Sequence, residues 1–89
     1  GVIVDGGIAA ELTQAIANLA KLLGEHDHGL ADVVKTTVFM IDMGEYASMN
    51  SAYAAGFGAH RPARSAIGVS ALPLGASVEI EAWVYAPGR

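Results

Sequence analysis

Apolar residues recur at helical spacing near the start of the chain and again in its middle, on either side of a run that reads as a strand. Ile8, Leu12, Ile16, Leu19 and Leu23 fall on one stripe, with Glu11, Gln14, Asn18 and Lys21 elsewhere around the wheel. Asp5-Gly6-Gly7 forms a turn that starts this helix of about four turns, and Gly24 is placed to stop it. Val33 to Ile41 is the clearest strand, rich in β-branched residues and bounded by Asp32 and Asp42. Its apolar residues occupy both parities, as in a central strand covered on both faces, by helices on one side and a partner subunit on the other. Asp42 with Glu45 three residues on has the form of an N-cap and capping-box partner. They open a second helix from about Met43 to Phe57, with Tyr46, Met49, Tyr53 and Phe57 as its apolar stripe.

The last third of the chain reads as two strands joined by a Pro/Gly connection. Ala63 to Val69 alternates large and small residues, and Pro62 suits the first position of a strand, where no ladder donor is lost. Val78, Ile80, Ala82 and Val84 make one apolar face at period two, and Glu79, Glu81, Trp83 and Tyr85 make the other. If these two strands pair as a hairpin, Val69 opposite Val78 places Arg64, Ala66 and Gly68 on one face with Glu79 and Glu81. Arg64 is then a guanidinium in a small apolar strand, with two readings. It forms an ion pair across the hairpin, or its planar fork of donors holds the carboxylate of a small acidic substrate. The order helix, strand, helix, strand, strand, with two helices packed on one face of a mixed sheet, is an α+β architecture.

Composition bears on partners. The chain has 89 residues, enough for one domain over residues 1–89, and is 53% hydrophobic before its 11 glycines are counted, with only 16% charged. So much apolar residue in so short a chain is expected to be covered by oligomerisation. The net charge of −4 removes the electrostatic footprint of a nucleic-acid binder. No apolar run approaches membrane-spanning length, no signal peptide is evident, and cysteine is absent, which excludes disulfides and a Cys nucleophile. A cytoplasmic protein without nucleic-acid or membrane partners is expected. His26 and His28, either side of Asp27, sit on a polar loop without an evident third ligand, and no metal is expected there. His60, next to Arg61 in the stretch that leads into the Arg64 strand, reads as a structural or solvated residue, with an approach to the site as the alternative.

The run Pro62-Ala63-Arg64-Ser65, then Leu72-Pro73, then Val78-Glu79-Ile80-Glu81-Ala82, resembles the C-terminal signature of the RidA/YjgF family of reactive-intermediate deaminases in order and spacing. Asp32-Val33-Val34-Lys35-Thr36-Thr37-Val38-Phe39 is similar to the same family, so the likeness covers most of the chain. The resemblance implies a chorismate mutase-like fold assembled as a homotrimer, with pockets in the clefts between subunits. It implies hydrolysis of enamine/imine intermediates of the 2-aminoacrylate type to 2-keto acids and ammonia, with no metal or organic cofactor. Arg64 is then the anchor of the substrate carboxylate, and Glu79 the group that positions water. Ser65 and Ala66 line the pocket, while Tyr46 and Asn50 lie at the subunit boundary. Family members carry an additional N-terminal meander of about three strands, roughly 30–40 residues. The apolar tetrad Gly1-Val2-Ile3-Val4 reads as the tail of such a segment, which the chain otherwise lacks. Two other functions follow from the same family: non-catalytic binding of small carboxylates by a trimer, and ribonuclease or translation-inhibitor activity. The acidic balance disfavours the latter.

Overall fold

A computed structural model describes residues 6–85 of the chain; the Gly1–Val4 tetrad and Asp5 lie outside them. Helix α1 spans Gly7–Gly24, strand β1 Val33–Met40, helix α2 Tyr46–Phe57, strand β2 Ala63–Gly68 and strand β3 Val78–Val84. The apolar stripe of α1 turns inward as its period requires, with Ile8, Leu12, Ile16 and Leu23 buried and Leu19 half-buried against them. Glu11, on the flank of that stripe, accepts a hydrogen bond from the backbone N–H of Ser77 at 2.8 Å. This bond ties α1 to the approach to β3.

The second helix starts differently from its sequence signature. Asp42 Oδ1 accepts from the Gly44 N–H at 2.8 Å, capping a single 3-10 turn over Met43–Glu45 from which α2 continues. The expected reciprocal pairing with Glu45 is replaced by this tighter turn, which uses Gly44 as the donor. Met49, Tyr53 and Phe57 are buried, and Tyr46, at the start of the stripe, is 41% exposed. The helices approach closely at Gly56, where a Cβ would come within 2.7 Å of the buried Ile16 Cδ1. A side chain at this position would have to push Ile16 out of its core position.

The three strands form one mixed sheet in the order β2-β1-β3. Strands β1 and β2 are parallel and joined through α2, the usual crossover unit; β1 and β3 are antiparallel. The expected hairpin between β2 and β3 is therefore not formed. A turn over Pro73–Gly75, with Leu74 at φ 60° and Gly75 at φ 70°, lies between them, and β3 pairs on the other side of β1. Central β1 has the hydrogen-bonding partners on both edges that its near-continuous apolar sequence suggested.

The register sorts side chains into rows. Thr36, Val38 and Met40 align with Arg64, Ala66 and Gly68 on β2, and with Ala82, Ile80 and Val78 on β3. This face packs under the helices, with Thr36, Val38 and Met40 fully buried. On the opposite face, Thr37 aligns with Ser65 and Glu81, and Phe39 with Ile67 and Glu79. No element of the described residues covers that second face, and Ile67 and Trp83 are 45% and 44% exposed on it. Lys35 Nζ sits 5.0 Å from the Trp83 ring centroid.

Candidate functional site

Arg64 enters at the second position of β2, directly after Ala63, and faces the helix side of the sheet. The β1-α2-β2 crossover brings α2 alongside it. Residues 46, 50, 53 and 54 of α2 recur at intervals that keep them on the side of the helix nearest β2. The Arg64 Nη2 donates a 2.8 Å hydrogen bond to the Tyr46 hydroxyl. Its guanidinium carbon lies 5.6 Å from the Tyr46 ring centroid and 4.7 Å from that of Tyr53. Two aromatic rings thus hold the guanidinium by cation–π contact, and one of them adds a hydrogen bond.

Tyr53 is itself fixed from beneath. Its hydroxyl shares a buried 2.7 Å hydrogen bond with Thr36 Oγ1, and Thr36 is wholly inaccessible to solvent at the centre of β1. Tyr53 also packs on Phe57, with centroids 4.7 Å apart. A bonded hydroxyl pair removes the cost of burying two polar groups, and it sets the rotation of the ring on which Arg64 rests. Tyr53→Phe keeps the ring but orphans Thr36 Oγ1. We expect it to lower stability by about 1–2 kcal/mol, read from urea denaturation. A loss below a few tenths of a kcal/mol would mean that the hydroxyl pair contributes nothing net.

A depression of about 500 Å³ opens over this arrangement, lined by Asn50, Tyr53, Ala54, Arg61, Pro62 and Arg64. No carboxylate of the described residues lines it. Among the described residues neither Arg61 nor Arg64 has an acidic partner at ion-pair distance. The guanidinium of Arg64 keeps donors available in an aromatic-walled recess, where an anion is the ligand it suits chemically.

The structure brings together three of the site residues expected from sequence: Arg64, Tyr46 and Asn50. Ala66 shares their face, two residues further along β2, but is packed against the core. Ser65 points to the other face of the sheet, since neighbouring strand residues alternate. Glu79 lies on that other face as well, in the row of Phe39 and Ile67, and on the far strand of the sheet. The cross-hairpin ion pair of Arg64 with Glu79 or Glu81 is therefore absent, because β1 separates the strands and the side chains leave opposite faces. Within one copy of the chain, a ligand held by Arg64 cannot reach Glu79.

Two contributors were not singled out from sequence. Tyr53 reads as one member of an apolar stripe, and only its buried partner Thr36 gives it a polar role. Arg61, taken as a loop residue, lines the same depression as Arg64. His60 does act structurally: its Nε2 is 2.6 Å from the Val33 carbonyl oxygen, fastening the end of the α2–β2 connection to the start of β1.

A second groove, of about 350 Å³, runs between α1 and the outer edge of β3, lined by Ala15, Asn18, Leu19, Leu22 and residues 78–80 and 82. The Ser77 carbonyl and the Tyr85 N–H bond towards the β1 side, so the alternate backbone groups of β3 point to this outer edge. No helix among the described residues is long and apolar enough to cross a membrane.

Comparison with known proteins places the chain among relatives. Residues 1–86 match the family described as Endoribonuclease L-PSP. Protein HMF1 of Saccharomyces cerevisiae is 42% identical over 80 residues, which are 90% of this chain and 62% of the yeast protein. A 2-iminobutanoate/2-iminopropanoate deaminase of Rattus norvegicus is 42% identical over 82 residues, 92% of this chain and 60% of the rat protein. The crystal structure of RidA from the Antarctic bacterium Psychrobacter superposes with a TM-score of 0.87 at 34% identity, covering 93% of this chain and 68% of that one. The chain thus spans about three fifths of the length of these curated relatives.

Proposed function

The chain belongs to the Endoribonuclease L-PSP family, which is the RidA/YjgF family, and on that premise we propose that it serves hydrolytic deamination of small 2-imino acids. The observation that carries this reading is the Arg64 guanidinium, held by Tyr46 and Tyr53 in a recess that no carboxylate of the described residues lines. A 2-imino acid offers a carboxylate for that fork, which fixes the adjacent imine carbon relative to the walls of the recess. Water adds its oxygen to the imine carbon, the carbon–nitrogen bond breaks, and nitrogen leaves as ammonia with the protons it gains. The product is the 2-keto acid. The substrate is already activated towards water, so orientation and one proton-transferring group meet the chemical demand.

Glu79 is our candidate for that group, and its position sets a condition on the assembly. Since Glu79 and Arg64 leave opposite faces of one sheet, a complete site takes Arg64 from one copy and Glu79 from a neighbour. The uncovered sheet face, with Ile67 and Trp83 exposed, supports association of copies. We take the assembly to be a homotrimer with its clefts at the Arg64 recess, where Asn50 and Ser65 would meet across the boundary. The additional strands expected of longer family members would have the outer edge of β3 to pair with.

Glu79→Gln tests the catalytic assignment because the amide keeps size and removes the base. Keto-acid formation from 2-iminobutanoate is expected to fall about a hundredfold or more, while affinity for 2-oxobutanoate changes less than about threefold. Turnover and affinity falling together would make Glu79 structural. Turnover unchanged would leave Arg64 as the anchor of a carboxylate-binding protein in which Glu79 plays no part in chemistry.

A further inference from the structure

The Arg64 recess holds a second cation that a monocarboxylate does not require. Arg61 lines the same depression, three residues before Arg64 and directly before Pro62. A residue preceding proline is restricted to extended backbone, and proline fixes its own φ, so the approach of Arg61 to Arg64 is stiff. The Arg61 Nη1 donates to the carbonyl oxygens of Gly58 and His60 at the end of α2. Those bonds pin the guanidinium and use one of its three nitrogens. None of the remaining donors pairs with an acidic side chain among the described residues.

The chain carries only five basic residues against nine acidic ones, yet two of the five share one depression whose walls carry no carboxylate among the described residues. An anion held in a depression lined by two arginines is attracted by both, and like charges on its walls favour a ligand of opposite sign. A single carboxylate bound at Arg64 neutralises one. The recess, at about 500 Å³, has room for a longer ligand, and Asn50 adds an amide that can donate or accept on its wall.

Resting on the deaminase reading above, we infer that this site takes imino acids bearing a second carboxylate, with Arg64 holding the carboxylate beside the imine and Arg61 the one on the side chain. The preference for a dicarboxylate comes from Arg61 and is separable from the chemistry at the imine carbon. The capping bonds of Arg61 position its fork; they are not the source of the selectivity.

The test is direct binding of keto-acid products by titration calorimetry, which does not depend on turnover. The probes are 2-oxoglutarate and 2-oxobutanoate, against wild-type protein, Arg61→Met, Arg61→Lys and Arg64→Met. The wild-type chain is expected to bind 2-oxoglutarate about tenfold or more tightly than 2-oxobutanoate, the effect of one added charge-assisted pair. Arg61→Met should bring that ratio close to one. Arg61→Lys should keep an intermediate ratio, since it preserves the charge and loses the fork. Arg64→Met should weaken both ligands. A ratio unchanged in Arg61→Met overturns the inference whatever the absolute affinities do, and so does a wild-type protein that prefers the monocarboxylate or binds neither. If Arg64→Met leaves both affinities as they were, the fault lies with the deaminase reading of the recess itself.

Discussion

Replacing Arg64 by Met is expected to lower kcat/KM for 2-iminobutanoate by on the order of a hundredfold to a thousandfold while leaving the fold intact. The size follows from what the residue is asked to do. A carboxylate held by a charged fork in a partly desolvated recess loses both its charge partner and its orientation when the fork is removed, and such truncations cost about 2–5 kcal/mol. Methionine keeps much of the aliphatic stem and can still lie against the Tyr53 and Tyr46 rings, so the aromatic wall should survive. The guanidinium has no acidic partner to leave behind among the described residues, and only the exposed Tyr46 hydroxyl, which water can satisfy, loses its donor. Thermal unfolding of Arg64→Met should therefore stay within a few degrees of the parent. A loss of activity accompanied by a comparable loss of stability would show that Arg64 holds the fold rather than the substrate.

The largest expected effect on stability lies at Leu12. Its side chain is fully buried where α1 faces the sheet and α2, in a cluster with Ile16, Val38, Met40 and Met49. Leu12→Ala removes three carbons from a close-packed site and leaves a cavity that two rigid helices and a sheet close only in part. The cost is about 2–5 kcal/mol, and at this chain length each kcal/mol lowers Tm by about 4–8 °C. A three-strand sheet under two helices has little stability in reserve, so we expect the variant to be largely unfolded at 37 °C. Circular dichroism melting checks it. A fall in Tm of less than about 4 °C would mean that the core around Leu12 repacks freely, contrary to the close approach seen at Gly56 and Ile16.

How far the fold was legible depended on whether the deciding interactions were local. The stripe of Ile8, Leu12, Ile16 and Leu23 declares a helix because period 3.6 is written into those residues, and all four are buried. β1 was legible as a central strand for the same kind of reason, through apolar residues on both parities. The pairing of β2 and β3 was not. Residues 70–77 carry the Pro and Gly of a hairpin connection, yet whether β3 returns beside β2 or beyond β1 is decided by which edge of β1 is free. That is a long-range matter, and α2 had already placed β2 on the other edge.

The same limit shaped the reading of the site. Arg64 stood out as a guanidinium in a small apolar strand, Tyr46 and Asn50 came from the resemblance, and the crossover through α2 brings the three together. The hairpin that would pair Glu79 with Arg64 does not exist, and the position of Glu79 on the opposite face means that the cleft site implied by the resemblance would draw the two residues from different copies. Thr36 and Tyr53 gave no sign of pairing, because a threonine in a β-branched strand and a tyrosine in a helical stripe each fit their local pattern. Arg61 was hidden by its setting in a loop, where a charged residue ordinarily calls for no explanation.

The measurement that bears most directly on this account is keto-acid formation from 2-iminobutanoate by a mixture of Arg64→Met and Glu79→Gln proteins, dissociated and reassembled together. Each variant alone should be inactive. If every site takes Arg64 from one copy and Glu79 from another, random reassembly makes about a quarter of the sites wild type, and activity should return to about that level. A mixture as inactive as its two components would contradict the shared site, and with it the catalytic pairing of Arg64 and Glu79.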